Sequence, residues 1–172
     1  MTIIWLTRQQ TKTIIDHARS AAPHEACGLI LGAGHQVDQV VPAKNITTDP
    51  MHHFRVDDRL VIQHVSQIIG VYHSHPRSAP VPSSTDIQES CYPEFIHVII
   101  GLQGESPRLA AWRIRHGRVD SIQVHIDDRP PDNIPQQMTT SQVVALLVGT
   151  LAVALVVLLI SLMLLPPAPP IP

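Results

Sequence analysis

The stretch 70-GVYHSHPRSAPVPSSTDIQES-90 decides how the rest of the chain is read. Within it Val71 to His75, "VYHSH", reads as a strand, and side chains on a strand alternate between faces. His73 and His75 therefore project from one face together with Val71, while Tyr72 and Ser74 point to the other. Two imidazoles side by side on a rigid strand form a preorganised chelating pair. A bare His-x-His is weak evidence, since 11 histidines in 172 residues should produce about 0.7 such pairs by chance. The residues that follow are more selective. Ser83 lies seven intervening residues after His75, and Asp86 follows it after two more. Ser83 is placed to cap a short helix, and Asp86 sits in its first turn, where it can return to the histidines. Two nitrogens and one carboxylate give three ligands and leave a fourth position for water, the arrangement of catalytic rather than structural zinc. A plain Ser–Asp capping box explains the local spacing equally well, but not the paired histidines upstream.

A metal-activated water needs a proton acceptor, and Glu25 in "PHEACGLILG" is the candidate. It precedes an apolar strand and can face a cleft from the strand's edge. His24 should face the opposite way, His52 and His53 read as surface or groove residues, and His64 as partly buried. Cys27 reads as a buried, reduced structural thiol; a disulfide with Cys91 remains open at this stage.

The same reading extends outward along the chain. Ile3–Leu6 reads as a strand, and Thr7 with Gln10 as a capping box opening a helix to about Ser20. "CGLILG" and "HQVDQVVP" read as strands around a Gly-rich turn. A second helix is expected from Asp57 or Asp58 to Gly70, with Leu60, Val61, Val65, Ile68 and Ile69 on its apolar face. "FIHVIIGL", "RLAAWRI" and "VDSIQVHI" read as three further strands, with a turn at His116-Gly117. The fold class is α/β: a mixed β-sheet flanked by helices over residues 1–126. Formal net charge is -2, which gives no sign of a nucleic-acid partner.

Residues 127–142, "DDRPPDNIPQQMTTSQ", form a polar linker with three prolines. The last charged residue is Asp132, and Val143–Leu165 is apolar apart from Gly149, Thr150 and Ser161. Twenty-three helical residues span roughly 34 Å, enough to cross a bilayer core of about 30 Å. This segment is expected to be a C-terminal transmembrane helix, followed by a Pro-rich tail over residues 166–172. With no export signal at the N-terminus, the folded domain is expected in the cytoplasm, anchored by a single pass. Ser141, Ala145 and Gly149 form a small-residue face that could pair two such helices into a homodimer.

The motif as a whole resembles the JAMM/MPN+ metallopeptidase family, the JAB domain. Its pattern is a distant Glu, His-[Ser/Thr]-His, seven residues, Ser, two residues, Asp. Glu25, His73, Ser74, His75, Ser83 and Asp86 match every element, and "NITTDPMHHFRVDD", "YPEFIHVIIGL" and "AWRI" match in order and spacing. The resemblance implies the JAB/MPN, cytidine-deaminase-like architecture over about residues 2–126. It implies one Zn2+ held by His73, His75 and Asp86, with Glu25 as general acid/base and Ser83 as donor to the oxyanion. It also implies cleavage after the C-terminal Gly-Gly of ubiquitin-like or sulfur-carrier proteins. Only eight residues separate Asp86 from Phe95, too few for the insertion that grips ubiquitin in eukaryotic-type members, so the compact prokaryotic type is implied. Cys91 and Tyr92-Pro93 would then border the substrate channel. The rival reading is a membrane-anchored scaffold of the same fold without catalysis.

Overall fold

The computed structural model describes residues 3–90 and 94–129, and, near the C-terminus, 146, 148–150, 154–158, 160 and 161. The chain separates into two compact units, Met1–Ile134 and Pro135–Pro172.

The described residues of the first unit form seven strands and three helices: β1 (Ile3–Leu6), α1 (Arg8–Ala21), β2 (Cys27–Ala33), β3 (Gln36–Ala43), α2 (Asp58–His64), β4 (Ile68–His75), α3 (Ser84–Gln88), β5 (Ile96–Gly101), β6 (Arg108–Arg115) and β7 (Arg118–Ile126). The strands hydrogen-bond in the order β1-β3-β2-β4-β5-β6-β7 and close into a barrel. Closure is a departure from the expected sheet with helices on its flanks. It comes from β1, which pairs in parallel with β7 (Ile3 with Gln123 through Leu6 with Ile126) and meets β3 at Trp5 and Gln36. Periodicity reveals which residues form strands but not that the first will lie beside the last.

The local expectations for α1 and α3 hold because both rest on capping chemistry. Thr7 Oγ1 accepts from Gln10 N at 3.1 Å, and the Gln10 side chain accepts from Thr7 N at 2.8 Å. The same reciprocal box opens α3 at Ser83 and Asp86. The expected second helix is corrected. It starts as expected, with Asp57 as N-cap, but ends at His64, and Ile68, Ile69 and Gly70 belong to β4. A short apolar run fits either period, and here two-sided sheet pairing wins: Ile68 pairs with Leu31, and Gly70 with both Ile30 and Ile96. Gly70 is not a helix terminator. A Cβ there would lie 2.4 Å from Ile96 O, so the position holds only glycine for close strand approach. Val65, left behind in the connection, is 66% exposed.

β4 runs through the middle, antiparallel to β2 and parallel to β5, and separates two apolar clusters. On one side Ile4, Leu6, Ile30, Tyr72, Val98 and Ile100 pack with Ile14 and Ala18 of α1. On the other Cys27, Leu29, Leu31, Val56, Ile68 and Val71 pack with Phe54, Leu60 and Phe95. The candidate metal ligands stand at the end of this second row.

In the second unit the described residues are helical, and Ser161 Oγ donates to Val157 O at 2.9 Å. Among the described residues no helix is long and apolar enough to cross a membrane; most of the expected span 143–165, and the small-residue position 145 within it, lie outside the described residues.

Candidate metal centre

β4 delivers His73 and His75 to the same face, as alternation requires, and both are buried. The loop after β4 turns back, and Ser83 starts α3 so that Asp86 returns to them. His73 Nε2 lies 3.3 Å from Asp86 Oδ1, His75 Nε2 lies 3.3 Å from Asp86 Oδ2, and the two Nε2 atoms are 3.1 Å apart. Donor atoms bound at about 2.0–2.1 Å to a tetrahedral ion stand about 3.3 Å from one another. The two imidazole nitrogens are close to that separation, each has one carboxylate oxygen at 3.3 Å, and one donor atom from each residue lies within 4.8 Å of the others, a spacing that suits a single zinc ion. This is the only such set of three among the described residues.

Neighbouring groups prepare the ligands. His75 Nδ1–H donates to Ala79 O at 3.1 Å; a carbonyl can only accept, so the Nε2 lone pair is left for the metal. His73 stacks on Phe54, with ring centroids 4.3 Å apart. Asp86 Oδ2 accepts from Ser83 N at 2.7 Å and from Ser83 Oγ at 2.8 Å, while Ser83 Oγ accepts from Asp86 N at 3.1 Å. The capping box and the metal motif are thus one structure: the box anchors Oδ2, which also faces His75, and Oδ1 faces His73. Burial alone would raise the Asp86 carboxyl, but hydrogen bonds from His73 and His75 and their charge hold it well below the usual carboxylate range. Burial lowers His73, with Asp86 opposing only in part. Burial also works to lower His75, yet its bonds to Asp86 and Ala79 leave it raised overall.

Glu25 stands just before β2. Cys27 pairs with His73, so two residues back along the antiparallel ladder Glu25 comes opposite His75. It is 6% exposed, and Oε2 has no hydrogen-bond partner. Burial pushes its carboxyl up to about 7, with the Asp86 charge adding to the rise and His75 opposing it. A buried carboxyl poised near neutrality and bare at one oxygen is equipped to take up and release a proton.

Asn45, not singled out in the sequence, and Ser74 hold this geometry, and His97 stands beside it. Asn45 Nδ2 donates to Glu25 O at 3.0 Å and to His53 O at 2.9 Å, and its Oδ1 accepts from Arg55 N at 3.0 Å, tying Glu25 to the loop before α2. Ser74, correctly expected to point away from the metal, accepts from Ala26 N at 2.9 Å and so fixes the residue after Glu25. His97, beside Val71 on β5, is 4% exposed, and Nδ1 has no partner. Asn45 stands within the stretch "NITTDP", whose match to the family pattern was its only signal.

A cavity of about 600 Å³ opens beside the ligands, lined by Phe54, Val61, Val71, Asp86, Phe95 and His97 among others. His53 lines it too, as a groove residue should, while His52 and His24 are exposed and His64 is half-buried. Phe54–Val56 is not a strand. Cys27 is a free, fully buried thiol, pushed up to about 12 by burial and by Glu25. Cys91 and Tyr92-Pro93 lie outside the described residues.

A buried His–His–Asp set with a free carboxylate beside it and a cleft in front is the centre of a mononuclear zinc hydrolase. Residues 7–115 match the model of the prokaryotic homologs of the JAB domain, and the chain belongs to that family. It is 30% identical over 105 residues to the desampylase of Haloferax volcanii, covering 54% of this chain and 76% of that protein. It is 26% identical over 109 residues to a probable TtuB-protein conjugate cleaving protease of Thermus thermophilus, covering 59% of this chain and 72% of that one. In structure it resembles a protein of Desulfitobacterium hafniense solved in solution, with a TM-score of 0.67 and 28% identity over 80% of this chain and 100% of that chain. The chain is accordingly a JAMM-type zinc metallopeptidase of the compact prokaryotic kind. The non-catalytic scaffold does not account for a complete ligand set with an adjacent buried acid.

Proposed function

We propose that this peptidase cuts the peptide or isopeptide bond that follows the C-terminal Gly-Gly of a ubiquitin-like or sulfur-carrier protein. The observation that carries the reading is Glu25 Oε2, buried and unpartnered beside the His73–His75–Asp86 set. The names of the two relatives, a desampylase and a conjugate cleaving protease, support a substrate made of one protein joined to another. A glycine tail needs little room, and the cavity lined by Phe54 and Phe95 would take it extended, in the manner of strand addition.

Zinc held by His73, His75 and Asp86 would acidify the attacking water and polarise the scissile carbonyl. Glu25 would take the proton from the attacking water at its free oxygen and hand it to the departing amine. Ser83 donates to the oxyanion of the tetrahedral intermediate. Its hydroxyl proton rests on Asp86 Oδ2 in this structure, so the donation requires rotation about one bond when substrate arrives.

Glu25→Gln should keep zinc and lose cleavage of a carrier extended beyond Gly-Gly by about 10²–10⁴-fold, read by mass spectrometry of the products. Undiminished cleavage by that variant would overturn the mechanism.

The same proposal places the enzyme on the cytoplasmic side of a membrane, held by 143–165, with the uncharged run after Asp132 as its support. Pairing of two chains through Ser141, Ala145 and Gly149 belongs to this proposal as well. Deleting residues 143–172 should shift the protein from the membrane to the soluble fraction with its zinc content unchanged. A full-length chain that stays soluble would remove the tether.

A further inference from the structure

We propose that Trp112, on β6 and two strands away from the ligands, is a positioning residue of the metal centre. It acts through the loop that connects β4 to α3. That loop, Pro76–Ser83, contains Pro76, Pro80 and Pro82, which have no backbone N–H to donate, so it has little means of holding itself. Its one backbone bond within the turn is from Val81 N to Ala79 O, at 2.8 Å. The same Ala79 oxygen accepts from His75 Nδ1, which fixes the ring's tautomer and aims Nε2 at the metal position. The next carbonyl along, Pro80 O, accepts from Trp112 Nε1 at 2.9 Å.

The loop is thus fastened at two successive carbonyls. His75 holds it on the ligand side, and the indole holds it on the sheet side. The sheet is shaped for this. Gly101 pairs with His75 on β5, and a Cβ there would lie 2.7 Å from Pro80 Cδ and 2.8 Å from Ser78 O. The missing side chain lets the loop lie flat on the strand, within reach of Trp112. Trp112 itself pairs with His97, on the face that carries His73 and His75. Releasing Pro80 frees the Ala79 carbonyl to drift, and with it the orientation of His75 and the path that brings Asp86 back.

The chain supplies its own control. Trp5 donates Nε1 to Asp127 O at 3.0 Å, the same bond made at the junction of β1 and β7 without touching the loop. Zinc affinity of the metal-free protein is measured by competition with a chromophoric chelator, alongside the visible spectrum of the cobalt form and the thermal unfolding midpoint. Trp112→Phe should weaken zinc binding about tenfold, the lower end of the cost of losing an outer hydrogen-bond partner, and should distort the tetrahedral cobalt bands. Trp5→Phe should leave both unchanged, even where it lowers the unfolding midpoint more. Wild-type affinity and spectrum in Trp112→Phe would overturn the inference, as would an equal loss in Trp5→Phe. Should Trp112→Phe fail to fold, Gly101→Ala lifts the same loop from beneath: weaker zinc binding upholds the seat, and unchanged binding overturns it. The inference rests on the zinc reading, and the two fail differently. A wild-type chain that takes no zinc sinks that reading, whereas a zinc-binding chain indifferent to Trp112 sinks only this one.

Discussion

The two faces of β4 differ by one residue of register and by everything else. Tyr72 and Ser74 point into the cluster beneath α1, and both have partners there: Tyr72 OH meets His17 Nδ1 at 2.7 Å, and Ser74 Oγ accepts from Ala26 N. His73 and His75 point the other way, into a region where buried polar atoms go without. Among the described residues, Glu25 Oε2, His73 Nδ1 and His97 Nδ1 are buried on this side with no hydrogen-bond partner. Folding leaves few such atoms, because each costs about 1–3 kcal/mol. These three gather around the candidate ligands, which marks where the chain gives up stability for chemistry. A strand suits this division, since alternation keeps the two roles apart with no intervening layer.

The comparison can be broken by substitution on either face. Replacing both His73 and His75 by Ala should take zinc from one per chain to none by elemental analysis. Tyr72→Ala, next to them in sequence, should cost about 3–5 kcal/mol in denaturant unfolding through the cavity it leaves, yet keep zinc affinity within about threefold in the folded fraction. A Tyr72→Ala protein that is folded but has lost its zinc would show that the faces are not independent.

How much of this was open to reading depended on the distance over which each signal acts. The clustering of His73, His75 and Asp86 and the caps at Thr7 and Ser83 could be read because alternation and capping are local rules obeyed within a few residues. Ile68 and Ile69 misled because a four- or five-residue apolar run satisfies the helical and the strand period alike. Only pairing with Leu31, Ile30 and Ile96, none of them local, decides between the two. Barrel closure, the Asn45 tie to Glu25 and the Trp112 bond to Pro80 span 20 residues or more of sequence, and no spacing rule announces them. Gly101 reads only as one residue of the strand "FIHVIIGL", and its close approach to the loop appears only when Pro80 is seen lying on it.

A smaller effect would sharpen the contrast between the faces through two histidines that burial drives toward the neutral form. His17 is half-buried on the α1 side, and its pKa is lowered. His97 is buried on the ligand side, and burial, with the His73 charge adding and Asp86 opposing, takes it down to about 4. A group with a lowered pKa binds its proton more readily in the unfolded chain, so its contribution is complete above about pH 6.5 and lost as pH falls toward 4. For His97 the drop from 6.5 to about 4 corresponds to about 3 kcal/mol at the acid end. Urea unfolding of the zinc-free protein between pH 7 and 4 should therefore show a steep loss that His97→Gln reduces by most of that amount. His17→Gln should change it far less, because a half-exposed ring regains water when charged. Equal relief from both variants would mean that acid sensitivity is spread over the barrel, and that the ligand face is no more costly than the other.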